Sequence, residues 1–192
     1  MRRTPPEPPG GALPSWPVAR SETLGDFRVF RVRRDVAVSP TRGTEHAFHV
    51  LEGADWVNVV ALTPEGEMLF VRQWRHGVRE ETLEIPGGTI DPGDATPLEA
   101  ARRELLEETG HVSDDWTEAG WVWPNPAIQA NRCFTYVARS CRKVAEPSPD
   151  GTEELRVEAL PEAVVPALVA SGRIRHALVL AALHEYTIRG QA

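Results

Sequence analysis

Cysteine is nearly absent. The two present, Cys133 and Cys141, make neither a CxxC pair nor a disulfide framework. They lie on what reads as one strand and its exit, about 26 Å apart if extended, beyond the reach of an S–S bond. That usage fits a reducing compartment. Basic charge is also short: 21 Lys and Arg face 28 Asp and Glu, a formal net charge of -7. Nucleic acids and anionic surfaces are bound through clustered Lys and Arg, so the balance argues against nucleic acid or membrane as the main partner. No apolar run reaches the roughly 18 residues of a membrane span, and residues 1 to 17 lack the apolar core of a signal peptide. Together these absences predict a cytoplasmic protein.

Proline crowds only the start, at positions 5, 6, 8, 9, 14 and 17, where it rules out a helix or a sheet ladder and leaves an extended or disordered arm. The length suits one domain with a small addition. Boundaries are expected at 1–20 for the arm, 21–55 for an N-terminal β element and 56–192 for the main domain, with order beginning near Glu22. Across 26–38, Phe27, Val29, Phe30 and Val32 alternate with arginines as in a half-buried strand, and 45–53 supply another. Two apolar strands, DWVNVVALTP and EMLFVRQWRH, flank a Pro64-Glu65-Gly66 turn. Later come a strand around Trp121 to Trp123, a Pro-Asn-Pro turn, a strand from Cys133 to Ala138 and a strand RVEAL. A helix follows from Pro161 to near Gly172, which Pro166 should kink, and a last helix runs from about Arg175 to Ile188.

The most informative stretch is EIPGGTIDPGDATPLEAARRELLEETGH, Glu84 to His111. Its helix has a full set of local signals: Thr96 as N-cap, Pro97 at the first helical position, Glu99 three residues after the cap and Gly110 as the stop. Leu98, Ala101 and Leu105 make an apolar face, while Glu104, Glu107 and Glu108 share another. Like charges on adjacent turns repel, so such a face sits in bulk solvent or answers to a cation. In front lie Gly87, Gly88 and Gly93 with Pro86 and Pro92, a tight loop in which backbone can approach a ligand closely.

Loop, arginine and acids together resemble the Nudix box, the signature of hydrolases that cleave a nucleoside diphosphate linked to another moiety. Gly88, Arg103, Glu104, Leu105, Glu107, Glu108 and Gly110 stand in the order of that pattern. Three positions depart from it: Asp94 replaces the loop glutamate, one extra residue separates it from Arg103, and His111 takes the final aliphatic place. The resemblance covers roughly 22 to 188. It implies an α/β fold, a Nudix-type α/β/α sandwich on a mixed sheet, here with a small N-terminal β element. Two features point to the ADP-ribose pyrophosphatase-like branch. Arg75 stands at a strand end where that branch has an arginine gripping substrate phosphates, and Pro126 lies where the branch also has a proline. The chain continues NPAIQANR where the branch more often has a Gly-Phe-like turn.

A pyrophosphate carries several negative charges, so water attack on phosphorus calls for a hard cation, Mg2+ or in its place Mn2+. Glu104, Glu107 and Glu108 are the expected metal ligands, joined by the Gly87 carbonyl as the resemblance implies. Arg103 is read as an organiser of those acids, able to pair with Glu99, Glu107 or Asp94. A glutamate from a late loop acts as general base in the resembling enzymes, and Glu153 and Glu154 match it equally well. Arg75, Glu84, Asn125 and Arg132 are the substrate-contact candidates. Asn125, Gln129, Asn131 and Arg132 read either as a sugar or base pocket or as a solvated hairpin loop. The expected reaction is hydrolysis of a nucleoside diphosphate sugar, ADP-ribose or a relative, to a nucleoside monophosphate and a sugar phosphate. The alternatives are a nucleoside triphosphate or dinucleoside polyphosphate hydrolase and, in another class, a non-catalytic nucleotide sensor. Sensors of that kind carry an added basic helix pair, which this composition lacks. The apolar residues of 26–52 exceed what a hairpin can bury alone, so this region docks either on its own catalytic domain or, as the resembling branch implies and as is expected here, across the two-fold axis of a homodimer.

Overall fold

The computed structural model describes residues 11–148 and 154–190. The chain divides into two compact units, Met1–Glu52 and Gly53–Ala192.

The first unit is one antiparallel sheet of β1 (Val18–Phe27), β2 (Phe30–Val38) and β3 (Glu45–Glu52), in that order. Regular structure therefore starts at Val18 rather than near Glu22, and Val38 already donates its amide to Pro17 O at 2.9 Å. The run 26–38 is not one strand. Phe27 pairs with Phe30 across a turn at Arg28 and Val29, and neither turn residue is the Gly, Asn or Asp that usually marks such a bend. At the sheet's centre Arg33 is forked onto Asp35 at 2.9 and 3.0 Å, and Ser21 donates its hydroxyl to Asp35 at 2.6 Å. Arg33 first, then Ser21, holds the Asp35 carboxyl below its ordinary range.

In the second unit β4 (Trp56–Ala61) and β10 (Cys133–Arg139) run parallel at the middle of a mixed sheet ordered β7-β4-β10-β9, with β7 (Gly87–Thr89) and β9 (Asp115–Val122) antiparallel at its edges. A three-stranded sheet orders β12 (Leu155–Pro161), β5 (Glu67–Arg75) and β6 (Glu80–Glu84), and β8 (His111–Val112) pairs with β11 (Arg142–Lys143). Strand alternation sends Val57, Val59 and Ala61 to one face, where they pack with Ala100, Ala101 and Leu105 of α1 (Pro97–Thr109). It sends Val60 to the other, with Val179, Ala182 and Leu183 of α3 (Ala177–Glu185). Both faces being covered explains why β4 and β5 read as nearly continuous apolar runs. The result is the expected α/β/α arrangement on a mixed sheet.

The α1 caps form as the sequence indicates: Thr96 accepts from Glu99 N at 3.2 Å, Glu99 accepts from Ala95 N at 2.9 Å, and Gly110 closes the helix at φ 71°. A side chain there would also collide with Ala145 O, 2.0 Å from an added Cβ. The helix expected from Pro161 to Gly172 is divided into a 3-10 turn, Glu162–Val164, and α2, Val165–Ala170. Pro166 falls in the first turn of α2, where its missing amide costs no hydrogen bond, so it starts a helix rather than kinking one. The last helix starts at Ala177, two residues later than expected, and continues beyond Glu185 as a π turn, Tyr186–Gly190. No helix among the described residues is long and apolar enough to cross a membrane.

Candidate active site

The glycine loop and the carboxylate helix are joined directly. β7 pairs Gly87 with Asn58 and Gly88 with Val57, and Gly87 donates its amide to Glu108 Oε2 at 2.8 Å. Glu108 is only 2% exposed. A Cβ on Gly87 would lie 2.2 Å from Val57 O, and one on Gly88 would lie 2.5 Å from Glu104 Oε1. Glycine is thus required at Gly87, where the clash is with backbone, while at Gly88 it leaves the room that the Glu104 carboxylate occupies.

Arg103 gathers the rest. Its guanidinium donates to Asp94 at 3.2 and 2.9 Å, to Glu104 at 2.8 Å, to Glu107 at 3.0 Å and to Thr89 O at 2.8 Å. Hydrogen bonding to Asp94, the attraction of Glu104 and the contact with Glu107 raise its pKa against the pull of burial, so the group stays charged. Asp94 answers in kind, its carboxyl held low chiefly by Arg103, while its Oδ2 also accepts from Asp91 N at 2.9 Å. The departure at Asp94 is thereby accounted for, because this side chain fastens the glycine loop to the arginine of the helix. Of the three pairings open to Arg103, those with Asp94 and Glu107 form, and Glu99 is used in the cap.

Glu104, Glu107 and Glu108 occupy one face of α1, yet among the described residues no three His, Cys, Asp or Glu side chains converge as a cage for a metal ion. Glu104 and Glu107 lean on Arg103, and Glu108 leans on the Gly87 amide. As donors they nevertheless fit a hard divalent cation. All are carboxylate oxygens, and Glu104 and Glu108 lie against the glycine loop, Glu104 beside Gly88 and Glu108 on the Gly87 amide.

Arg75 and Glu84, expected as separate substrate contacts, are partners. Arg75 at the end of β5 forks onto Glu84 at 2.8 and 2.7 Å across the β5–β6 hairpin. Thr82 adds its hydroxyl to Glu84 Oε1 at 2.7 Å, and His176 Nδ1 stands 4.0 Å from Glu84 Oε2. Burial would push the Glu84 carboxyl up, but Arg75, Thr82 and the His176 ring together bring it below the ordinary range. Sequence reasoning singles out neither Thr82 nor His176. Thr82 has a signal, two residues before Glu84 and so on its face of the strand; His176 has none.

Asn125 and Arg132 have partners of their own. Asn125 is exposed, and its carbonyl accepts from Ile128 N and Gln129 N. Arg132 forks onto Asp55 at 2.7 and 3.1 Å, with its guanidinium 5.0 Å from the Phe134 ring centroid. Register places Arg132 at the same end of the sheet as Thr89, about 10 Å from β7 by two strand spacings. Register thus sets Arg132 two strands away from the glycine-loop strand. Glu154 is exposed and immediately precedes β12. Leu155 faces Gln73, so Glu154 emerges at the end of β5 that carries Arg75. Glu153 lies outside the described residues.

The NUDIX domain family matches residues 54–183. An ADP-ribose pyrophosphatase of Mycobacterium tuberculosis is 29% identical over 171 residues, covering 87% of this chain and 82% of that protein. An ADP-ribose pyrophosphatase of Bacillus subtilis is 30% identical over 90 residues, covering 47% of this chain and 48% of that protein. A solved structure described as an ADP compounds hydrolase superposes with a TM-score of 0.81 at 23% identity, over 95% of this chain and 98% of that one. That likeness speaks for the fold, and the family match spans the glycine loop, Arg103 and the three glutamates. The chain belongs to the Nudix family and is a Nudix pyrophosphohydrolase.

Proposed function

We propose that the protein hydrolyses the pyrophosphate bond of a nucleoside diphosphate sugar, ADP-ribose or a close relative, in a magnesium-dependent reaction giving a nucleoside monophosphate and a sugar phosphate. The observation that carries the reading is the direct seating of the glycine loop on the carboxylate helix, Gly87 on Glu108 and Gly88 on Glu104, with Arg103 binding both sides. The relatives support the substrate class.

Nudix hydrolases generally depend on a divalent metal. Glu104, Glu107, Glu108 and the Gly87 carbonyl would hold Mg2+, or Mn2+ in its place, which when bound neutralises phosphate charge and activates water. Arg103 holds Glu104 and Glu107 in place through its hydrogen bonds. Arg75, steadied by Glu84, grips the phosphates, and Asn125 and Arg132 reach the sugar or base from across the sheet end. Glu153 or Glu154 takes the proton of the attacking water as the bridging P–O bond breaks. The N-terminal sheet, whose Phe27, Val29 and Phe30 are 54%, 75% and 38% exposed, serves as the contact of a cytoplasmic homodimer. The dimerising element is the sheet Val18–Glu52 and the hydrolase domain begins at Gly53, while the first ten residues of the expected arm lie outside the described residues.

The test is a substrate panel with magnesium, read by phosphate release after phosphatase coupling. Sugar nucleotides should be cleaved, ADP-ribose among them. Exclusive cleavage of nucleoside triphosphates or dinucleoside polyphosphates, or no cleavage at all, contradicts the proposal. Light scattering at micromolar concentration should give about twice 21.2 kDa; a monomer mass contradicts the dimer.

A further inference from the structure

Gln73 is a buried polar residue of β5, two positions before Arg75, and only 5% exposed. Its main-chain carbonyl accepts from Thr82 Oγ1 at 3.3 Å, but its side-chain amide makes no hydrogen bond among the described residues. Native structures leave few buried polar groups in that condition. Nor is the amide walled in. Among the described residues, the fully enclosed side-chain atoms without a partner belong to Arg72, Asn131, His176 and Glu185, so the Gln73 amide reaches an opening.

That opening lies on the face that bears Arg75. Strand alternation puts Leu69, Val71, Gln73 and Arg75 on one side of β5, and Leu69 there shares a packed cluster with Leu105 of α1, the helix of the three glutamates. Gln73 stands opposite Thr82 of β6 and, on its other flank, opposite Leu155 of β12. Arg75 is in register with Glu80, yet its guanidinium reaches Glu84, which faces Val71. Its side chain therefore passes over the Gln73–Thr82 pair. Thr82 donates its hydroxyl to Glu84 Oε1 at 2.7 Å, which leaves the Gln73 amide uncommitted beside the arginine.

An amide both donates and accepts, as a sugar hydroxyl does, whereas a phosphate oxygen accepts and is served by a guanidinium. The geometry points to Gln73 as a specificity-determining residue: its amide reads a hydroxyl of a sugar joined to the phosphates that Arg75 grips. The inference rests on the proposed function, in which Arg75 holds the diphosphate. Gln73 is about 7 Å from Arg75 along the strand, so a sugar next to the bound phosphates comes beside it. An analogue without the hydroxyl is rejected because it leaves the buried amide unpaired.

The experiment compares three substrates with magnesium: ADP-ribose, an analogue without the vicinal hydroxyls of the nucleoside ribose, and an analogue without those of the terminal ribose. Wild type should prefer ADP-ribose over one analogue by about tenfold or more in kcat/KM, and the analogue that suffers shows which sugar Gln73 reads. Gln73→Met, unbranched and close in size, should lower kcat/KM for ADP-ribose about tenfold, chiefly through KM, and handle that analogue as wild type does, so the preference disappears. Because the amide has no partner in the free protein, the variant should melt no lower than wild type. Three substrates treated alike by wild type, a preference kept by Gln73→Met, an equal loss on all three, or a marked fall in melting temperature would each overturn the inference. No cleavage of any of the three contradicts the proposed function and this inference with it; cleavage with the preference unmoved in the variant overturns this inference alone.

Discussion

Arg103 and Arg132 are both forked onto an aspartate, yet the two regions around them differ in kind. Arg103 is 27% exposed and serves Asp94, Glu104, Glu107 and Thr89 O at once. Arg132 is 48% exposed and serves Asp55 beside two aromatic rings. Removing the first strips several partly buried carboxylates of their counter-charge. Removing the second frees one carboxylate that water can reach. An arginine matters to chemistry through what it holds together, and only the first holds loop and helix.

The comparison orders the expected effects. The largest belongs to the acids that Arg103 and Gly87 present: Glu107→Gln and Glu108→Gln should each lower turnover by at least about two orders of magnitude at saturating magnesium, as when about 2.7 kcal/mol of transition-state stabilisation is lost. Folding should be preserved because the amide is isosteric. Wild-type turnover in either variant removes the metal-face argument.

Arg103→Ala should come next, with about 10- to 100-fold loss of metal affinity or activity as the ligands lose their orientation. It should also change the acid limb of stability. Asp94 has a lowered pKa in the folded state, so its contribution is present above the ordinary carboxylate range and lost as pH falls through the folded value, below about pH 4. Without Arg103 that contribution goes, and thermal melts from neutral to acid pH should show less stability to lose. A melting profile identical to wild type contradicts the pairing.

Glu153→Gln and Glu154→Gln should depress kcat unequally while leaving metal affinity nearly intact. Full kcat in both puts the base elsewhere. The smallest effect is expected at Arg132→Ala: about 1 kcal/mol or less in stability, since the pair is half exposed, and a change in KM rather than kcat. A collapse of kcat there would erase the contrast with Arg103.

What the sequence discloses follows the range of the signals. The α1 unit is legible because its cap, proline, stop and acid spacing are all local, and its resemblance names the fold. The Arg28–Val29 turn is hidden because hydrophobic alternation runs through it without a turn residue. Glu84 stands out as a substrate-contact candidate, but its partnership with Arg75 depends on hairpin register, and that of Arg132 with Asp55 spans 77 positions. His176 reaches Glu84 only through the packing of α3. Asn58 shows the same limit: a polar residue amid the apolar run WVNVVA, explained once its side chain is seen donating to Leu178 O at 3.1 Å.

The central claim is that glycine loop and carboxylate helix form one metal-dependent hydrolytic centre. Its most direct test is the rate of nucleoside monophosphate release from ADP-ribose as free magnesium is raised from chelator-buffered absence to saturation, in wild type beside Glu108→Gln. Wild type should rise from near zero to a plateau while the variant stays near the baseline. Release at full rate under chelator, or a variant that titrates as wild type does, contradicts it.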